Sequence, residues 1–415
     1  MMTAGLVGLM FFIFGFVTWL NGPLITFVKL AFTLDDVAAF LVPMVFYMSY
    51  FFLALPSAAI LRRIGMKRGM TAGLLIMAVG AALFGQFATM RIFPGALSGL
   101  FVIGGGLALL QTAANPYVSI AGPIESAAQR IAVMGICNKA AGILAPLVIG
   151  ALVLRGIGDL DARVHAAATA AARGVLLDEF AAKIHTPYLV MAGLLAVLAL
   201  LVQVSPLPEL GGAEDASSPR DPDVSGLFSH PHLWFGVVCL FLYVGVEVMA
   251  GDAIGAYGRG FGLPIGQTSL FTSLTLAAML AGYVLGLVVI PRCVSQERYL
   301  AMSAALGVVL VIGAYFTRSY VSVGFVAALG FANAMMWPAI FPLAIRGLGR
   351  HTATGSAMLI MAICGGAILP QLFAILKARY DFQGVFLILM APAYAYILFY
   401  ALIGSRLRRS NAASY

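Results

Sequence analysis

Apolar runs long enough to cross a bilayer follow one another along the whole of this sequence, broken only by short polar turns. A helix spans the hydrocarbon core with about 20 apolar residues. On that measure the chain predicts spans near 4–28, 38–61, 69–90, 95–120, 130–154 and 187–205. A second set falls near 231–256, 268–290, 299–317, 321–344, 354–376 and 383–404. Only 10% of the 415 residues are charged and 62% are hydrophobic, where a soluble domain carries about 25% charged residues. No single core could hide that much apolar surface, so lipid is the solvent. The first run starts almost at Met1 without a basic leader or a small-residue cleavage site, and reads as a retained span.

Six spans precede, and six follow, a segment of different character. Residues 206–229 are rich in Pro, Gly, Ser and Asp and read as a flexible connection. They divide the chain into an N-terminal half at 1–205, a cytoplasmic linker at 206–229 and a C-terminal half at 230–415. An Ala-rich, charge-flanked stretch at 155–183 is too polar to span and predicts one short surface helix on the outer side. Of the 24 Lys and Arg, 13 fall on the side that holds both termini and 10 on the other. Setting aside four in the long outer segment leaves 13 against 6, which puts both termini in the cytoplasm by the positive-inside rule. The chain therefore reads as a multi-pass membrane protein.

The net charge of +8 does not indicate nucleic acid. A nucleic-acid footprint needs basic residues clustered on one solvated face, and here they sit in small groups between apolar runs. Cys137, Cys239, Cys293 and Cys364 lie in or beside those runs without metal-ligand spacing, and read as free thiols. The Gly104–Gly106 run lies mid-span rather than before a helix, where small residues allow close packing. No nucleotide-binding loop, catalytic triad or H-E-x-x-H is present, so ATP drive, hydrolysis, a resident metal and a cofactor find no support, and the chain is not read as an enzyme.

The two sets of spans echo one another. "MGICNKAAGILAP" begins at Met134 in span five and "MAICGGAILP" at Met361 in span eleven. Asn115-Pro116 in span four is matched in depth by Trp337-Pro338 in span ten, each proline preceding a break and a basic loop. Two parallel six-helix halves are the architecture of the major facilitator class, an all-α membrane fold of twelve transmembrane helices.

Every Asp, Glu, Lys and Arg falls in a loop or at a helix end except Lys139, Glu247 and Asp252. A charge at the bilayer centre costs at least ~2.5–3.5 kcal/mol, so such groups pair or line a wet cavity. Lys139 belongs to span five and the two acids to span seven, Asp252 lying about 7.5 Å beyond Glu247 at 1.5 Å per residue. A Lys139–Glu247 or Lys139–Asp252 pair would bridge the halves. Either acid could then be a cation-coupling site, since a carboxyl whose surroundings change as a cavity opens is able to take up and release a proton. The other reading is a static pair that fixes helix packing.

Neutral polar residues outline a substrate cavity. Gln111 and Asn115 share one face of span four, Tyr243 and Glu247 repeat that spacing on span seven, and Asn333 and Trp337 repeat it on span ten. Asn138 sits beside Lys139, and Asn21 lies in span one near Trp19. Amides donate to and accept from vicinal hydroxyls, and an indole offers a flat apolar platform to a pyranose. Amides and Trp with few charges suit a neutral sugar better than an ion or a lipid. Interhelical bonding is the alternative use of each amide. In the basic turn "LRRIGMKRG", Arg62, Arg63 and Arg68 either close a cytoplasmic gate or anchor the loop.

These residues carry a family resemblance. "LQTAANPYVSIAGPIESAAQR" (Leu109 to Arg130) resembles the signature of the fucose permease branch of the major facilitator superfamily. "MGICNKAAGILAPLVIGAL", "YVGVEVMAGDAIGAYG" and "WPAIFPLAIRGLGRHTATGSA" are similar to its bacterial glucose/galactose and N-acetylglucosamine transporters. The resemblance runs through most of the chain and implies uptake of a hexose or N-acetylhexosamine by alternating access, driven by protons or sodium. Two positions depart from it. The family carries an acid in span one where this chain has Gly22, and a Glu in span four where it has Gln111. Either coupling has moved to Glu247 and Asp252, or the protein is a uniporter; an exporter of another amphipathic solute is the further alternative.

Overall fold

The computed structural model describes residues 2–120, 127–208, 230–290, 293–348 and 352–407. Among them every regular element is helical. Twelve spans are long and apolar enough to cross a membrane. The first six are Gly5–Ala31, Asp36–Ile64, Met66–Thr89, Phe93–Asn115, Ala132–Leu152 and Ala170–Val204. The second six are Pro231–Gly251, Ile265–Val289, Gln296–Phe316, Ser319–Ile345, Thr354–Lys377 and Phe382–Arg406. Each overlaps one expected span. We number them one to twelve, and call the end of the bundle where span one begins and span twelve finishes the terminal end, its opposite the far end.

One expectation needs correcting. The stretch at 155–183 forms two helices, Ile157–Ala166 and Ala170–Ala182, not one. Ala167 is extended, and the Thr169 side chain accepts from the Ala172 N–H, so a fresh N-cap starts the second helix. That helix runs up to His185–Val204, the 20-residue helix that does the crossing in span six. The expected linker at 206–229 lies outside the described residues from 209 onward, as do 121–126 within the span-four signature, 291–292 and 349–351.

Small residues let the spans of the first half approach backbone to backbone. A Cβ on Gly104 would stand 2.5 Å from the Phe46 carbonyl of span two, and one on Gly106 would stand 2.6 Å from the Gly73 carbonyl of span three. The Gly104–Gly106 run is thus a packing surface on both sides. Between spans two and three the chain turns at Gly65, whose φ of 84° suits a residue without Cβ.

Spans one, seven, ten and eleven are interrupted beside the cavity. Span one breaks at Trp19–Leu20, between helices Met2–Thr18 and Asn21–Ala31. Pro23 is the cause: it has no N–H, and its ring opposes the carbonyl four residues earlier, that of Trp19. Span ten breaks the same way at Ala334–Met335, four and three residues before Pro338. Pro342 then leaves the Pro338 carbonyl without its helical donor, and Gln296 Nε2 donates to it at 3.1 Å and to that of Ala339 at 2.8 Å. Span seven breaks after Gly251, and span eleven tightens to a 3₁₀ turn at Ala362–Cys364. Irregular backbone at membrane depth is tolerated where it is buried in protein or lines a wet cavity, and these breaks surround the one described next.

Candidate functional site

Spans one, two, four and five from the first half face spans seven, eight, ten and eleven from the second around a shared cavity. The cavity reaches from mid-depth toward the terminal end, because its lining from spans four, five, eight and ten comes from the parts nearest that end: Gln111 and Asn115, Gly135 and Asn138, Tyr283, and Trp337.

Of the residues singled out by sequence, Gln111, Asn115, Asn138, Lys139, Tyr243, Glu247 and Trp337 line this cavity. Lys139 Nζ and Glu247 Oε1 form an ion pair at 2.9 Å, so of the two pairings open to Lys139 the structure makes the one with Glu247. The pair ties span five to span seven, one in each half. Lys139 also stands over the Trp19 ring, 4.4 Å from its centroid, and the Trp19 indole N–H donates to Asn138 Oδ1 at 3.3 Å. Trp19 reaches this place because span one presses on span five: a Cβ on Gly15 would lie 2.3 Å from the Asn138 carbonyl. Elsewhere on the wall Gln111 Nε2 donates to the Tyr50 hydroxyl at 3.0 Å, and Trp337 stacks on Phe341.

Two residues do not lie where the cavity reading put them. Asn21 is buried outside it, donating to the Thr18 carbonyl at 3.1 Å. Asn333 is buried behind the wall, its Oδ1 accepting from the Tyr394 hydroxyl at 2.7 Å and its amide nitrogen without a partner among the described residues. The helical break between 333 and 336 separates it from Trp337, so the shared face inferred from their spacing is lost. Asp252 is only 2% exposed and stands apart from the cavity beside Gly22 and Thr272. The space that a side chain at position 22 would need is occupied: a Cβ there would meet Thr272 Oγ1 at 2.5 Å and Asp252 Oδ1 at 3.3 Å.

Arg62, Arg63 and Arg68 are exposed at the terminal end and make no ion pair with a described residue. The contacts that close the bundle are at the far end instead. Asp36, opening span two, accepts from Lys29 of span one and from Lys377 of span eleven. Gln371 Nε2 donates to the Val37 carbonyl at 3.1 Å, and Arg259 Nη1 donates to Thr26 Oγ1 at 3.2 Å. Three links thus cross between the halves there. In the sequence these residues look like ordinary loop charges, and only the packing brings them together. Tyr47, Tyr50 and Tyr283, also on the cavity wall, pass for apolar residues within apolar spans.

The family model for the Major Facilitator Superfamily matches residues 7–370. The chain belongs to the major facilitator superfamily. It is a transporter rather than an enzyme, with the twelve-helix fold of its family. Its similarity to a glucose/galactose transporter of Brucella abortus (strain 9-941) is 34% identity over 403 residues, covering 96% of this chain and 93% of that one. To the L-fucose-proton symporter of Escherichia coli (strain K12) it is 27% identical over 367 residues, covering 86% and 83%. A solved structure of the major facilitator transporter FucP in the outward conformation superposes with a TM-score of 0.80 at 26% identity, over 98% of this chain and 99% of that one. The resemblance read from the span-four signature is therefore to the right family. All four cysteines are free.

Proposed function

We propose that this facilitator is a secondary active sugar importer of a bacterial inner membrane, moving a hexose or N-acetylhexosamine by alternating access with a coupled cation. One observation carries the reading: a single cavity between the halves gathers amides, an indole, tyrosine hydroxyls and one buried ion pair. Gln111, Asn115 and Asn138 supply donors and acceptors for hydroxyls, and Trp337 a platform for a pyranose face. The relatives named as glucose/galactose transporter and L-fucose-proton symporter match nearly full length, which supports a sugar and a cation as cargo.

Lys139, Glu247 and Asp252 form the coupling set in this reading, because Lys139–Glu247 joins the halves at the cavity and Asp252 lies on the same span. The chain works as a monomer, with its linker and both termini in the cytoplasm. With that orientation the cavity faces inward and the Asp36–Lys377, Gln371–Val37 and Arg259–Thr26 contacts form the closed outer gate. Arg62, Arg63 and Arg68 then sit at the open cytoplasmic mouth, free to act as inner-gate residues once the halves rock over.

The test is uptake of labelled glucose into proteoliposomes under a proton gradient and a sodium gradient imposed separately, with galactose, fucose and N-acetylglucosamine as competitors. Accumulation under one gradient is expected. Equilibration without accumulation under either would mean a uniporter, and neither uptake nor competition would overturn the sugar reading.

A further inference from the structure

Span seven carries two carboxylates near the middle of the bundle, and only one has a cation. Glu247 takes Lys139. Asp252 is 2% exposed, and the donors turned toward its carboxylate are the Gly22 N–H and the Tyr47 hydroxyl, neither close enough to complete a full hydrogen bond. The ionisable groups around it are Glu247 on its own span, Lys139 on span five and Tyr47 on span two. Gly22 of span one covers it from the remaining side. A charged carboxylate held in this way would have no cation of its own, and a buried unpaired charge is costly. A carboxyl that holds a proton fits the pocket.

The carbonyls of Gly251 and Ala250, where span seven breaks, accept from Thr272 Oγ1 at 2.8 Å and from Thr275 Oγ1 at 2.7 Å, which ties span eight to the break. Solvent from the far end is shut out by the Arg259–Thr26 and Asp36–Lys377 contacts. One side chain joins the Asp252 pocket to the cavity. Tyr47 is buried, lines the cavity beside Glu247 and Val248, and turns its hydroxyl toward Asp252 and Asn21.

We propose that Asp252 carries the coupled ion, as a proton, and that the Tyr47 hydroxyl is the step by which this proton passes between Asp252 and the cavity. The inference rests on the reading of the chain as an ion-coupled sugar carrier. The transfer balances without a co-reactant: the Asp252 carboxyl gives its hydrogen to the Tyr47 oxygen while Tyr47 passes its own to cavity water or to Glu247. The phenol stays neutral throughout. When the far end opens, span one draws away from span seven at Gly22 and Asp252 meets the other side directly. The proton's access therefore alternates with that of the sugar.

The experiment follows sugar-driven proton entry into proteoliposomes holding a pH-sensitive dye, in sodium-free buffer, alongside uptake of the labelled sugar. Wild type, Asp252→Asn, Tyr47→Phe and Tyr47→His are compared by protons moved per sugar moved, so that a lower yield of folded protein does not alter the readout. Expected are a fixed ratio in wild type, none in Asp252→Asn, and a ratio lower by about tenfold or more in Tyr47→Phe, which keeps the ring and loses the transferring group. Tyr47→His, which restores a proton-passing group, is expected to recover much of that loss. A wild-type ratio in Asp252→Asn or Tyr47→Phe overturns that residue's role, and so does failure of Tyr47→His to exceed Tyr47→Phe. Sugar-driven entry of labelled sodium in place of protons overturns the whole inference. Exchange of sugar across wild-type vesicles with no ion movement sinks the coupling and leaves the sugar carrier standing. Absence of any sugar exchange removes the sugar reading and the coupling with it.

Discussion

Replacing Lys139 with methionine removes the ammonium and keeps most of the side-chain length. It leaves Glu247, whose side chain is 11% exposed, without the cation 2.9 Å away. Breaking a buried pair from one side costs about 3–5 kcal/mol, because the remaining charge is uncompensated. Loss of the contact with the Trp19 ring, 4.4 Å from Nζ, adds about 0.5–2 kcal/mol. Glu247→Gln is expected to be milder, because the ammonium keeps the indole face and borders the cavity. The double variant K139M/E247Q removes both charges and should return to within about 1–2 kcal/mol of wild type, since a neutral replacement of the pair is often tolerated. The coupling energy between the two sites is then about 2 kcal/mol or more. Equilibrium unfolding in mixed detergent micelles of the four proteins measures it. If the single effects add in the double variant to within about 0.5 kcal/mol, the two residues do not interact and the bridge between the halves is not real.

Further outcomes concern the wall, the outer gate and the packing. Trp337→Ala should weaken sugar binding by about 0.5–1.5 kcal/mol, roughly two- to tenfold, as measured by competition. Asn333→Ala should instead destabilise the protein by about 1–3 kcal/mol, since it strips the Tyr394 hydroxyl of its acceptor; a change in affinity without a change in stability would place Asn333 in the cavity after all. Asp36→Asn removes a part-buried pair worth about 1 kcal/mol. A cysteine introduced at Gln371, with exposed Cys293 replaced by Ser, should then react about fivefold faster with an impermeant thiol reagent from the far side, and an unchanged rate would deny Asp36 a part in closure. Gly365→Ala drives a Cβ to 1.8 Å from the Phe241 carbonyl and should lower stability by about 1–3 kcal/mol. Gly193→Ala, in open space on span six, should raise it by about 0.4–1 kcal/mol, and thermal unfolding separates the two.

Apolar length and spacing determine a good deal of this protein by themselves. A bilayer demands about 20 apolar residues per crossing, so twelve runs become twelve spans in either reading. Rare intramembrane charge singles out Lys139, Glu247 and Asp252 in the sequence itself, because a charge in the lipid phase is costly without a partner or a wet cavity. The prolines at 23 and 338 mark where spans one and ten break, since a missing N–H acts on its own helix.

What the sequence could not determine is which of those marked residues meet. Lys139 had two acids within reach on one span, and the choice of Glu247 over Asp252 depends on the angle between spans five and seven. Asn333 and Trp337 share a face only in an unbroken helix, and the break turned one behind the wall. Asp36, Lys29 and Lys377 read as separate loop charges because Asp36 and Lys377 are 341 positions apart in the chain. Tyr47 carried no signal at all: a tyrosine in an apolar run looks like core until the fold places its hydroxyl between a sealed carboxyl and a cavity. Local sequence reports on one helix at a time, and this site is made of eight of them.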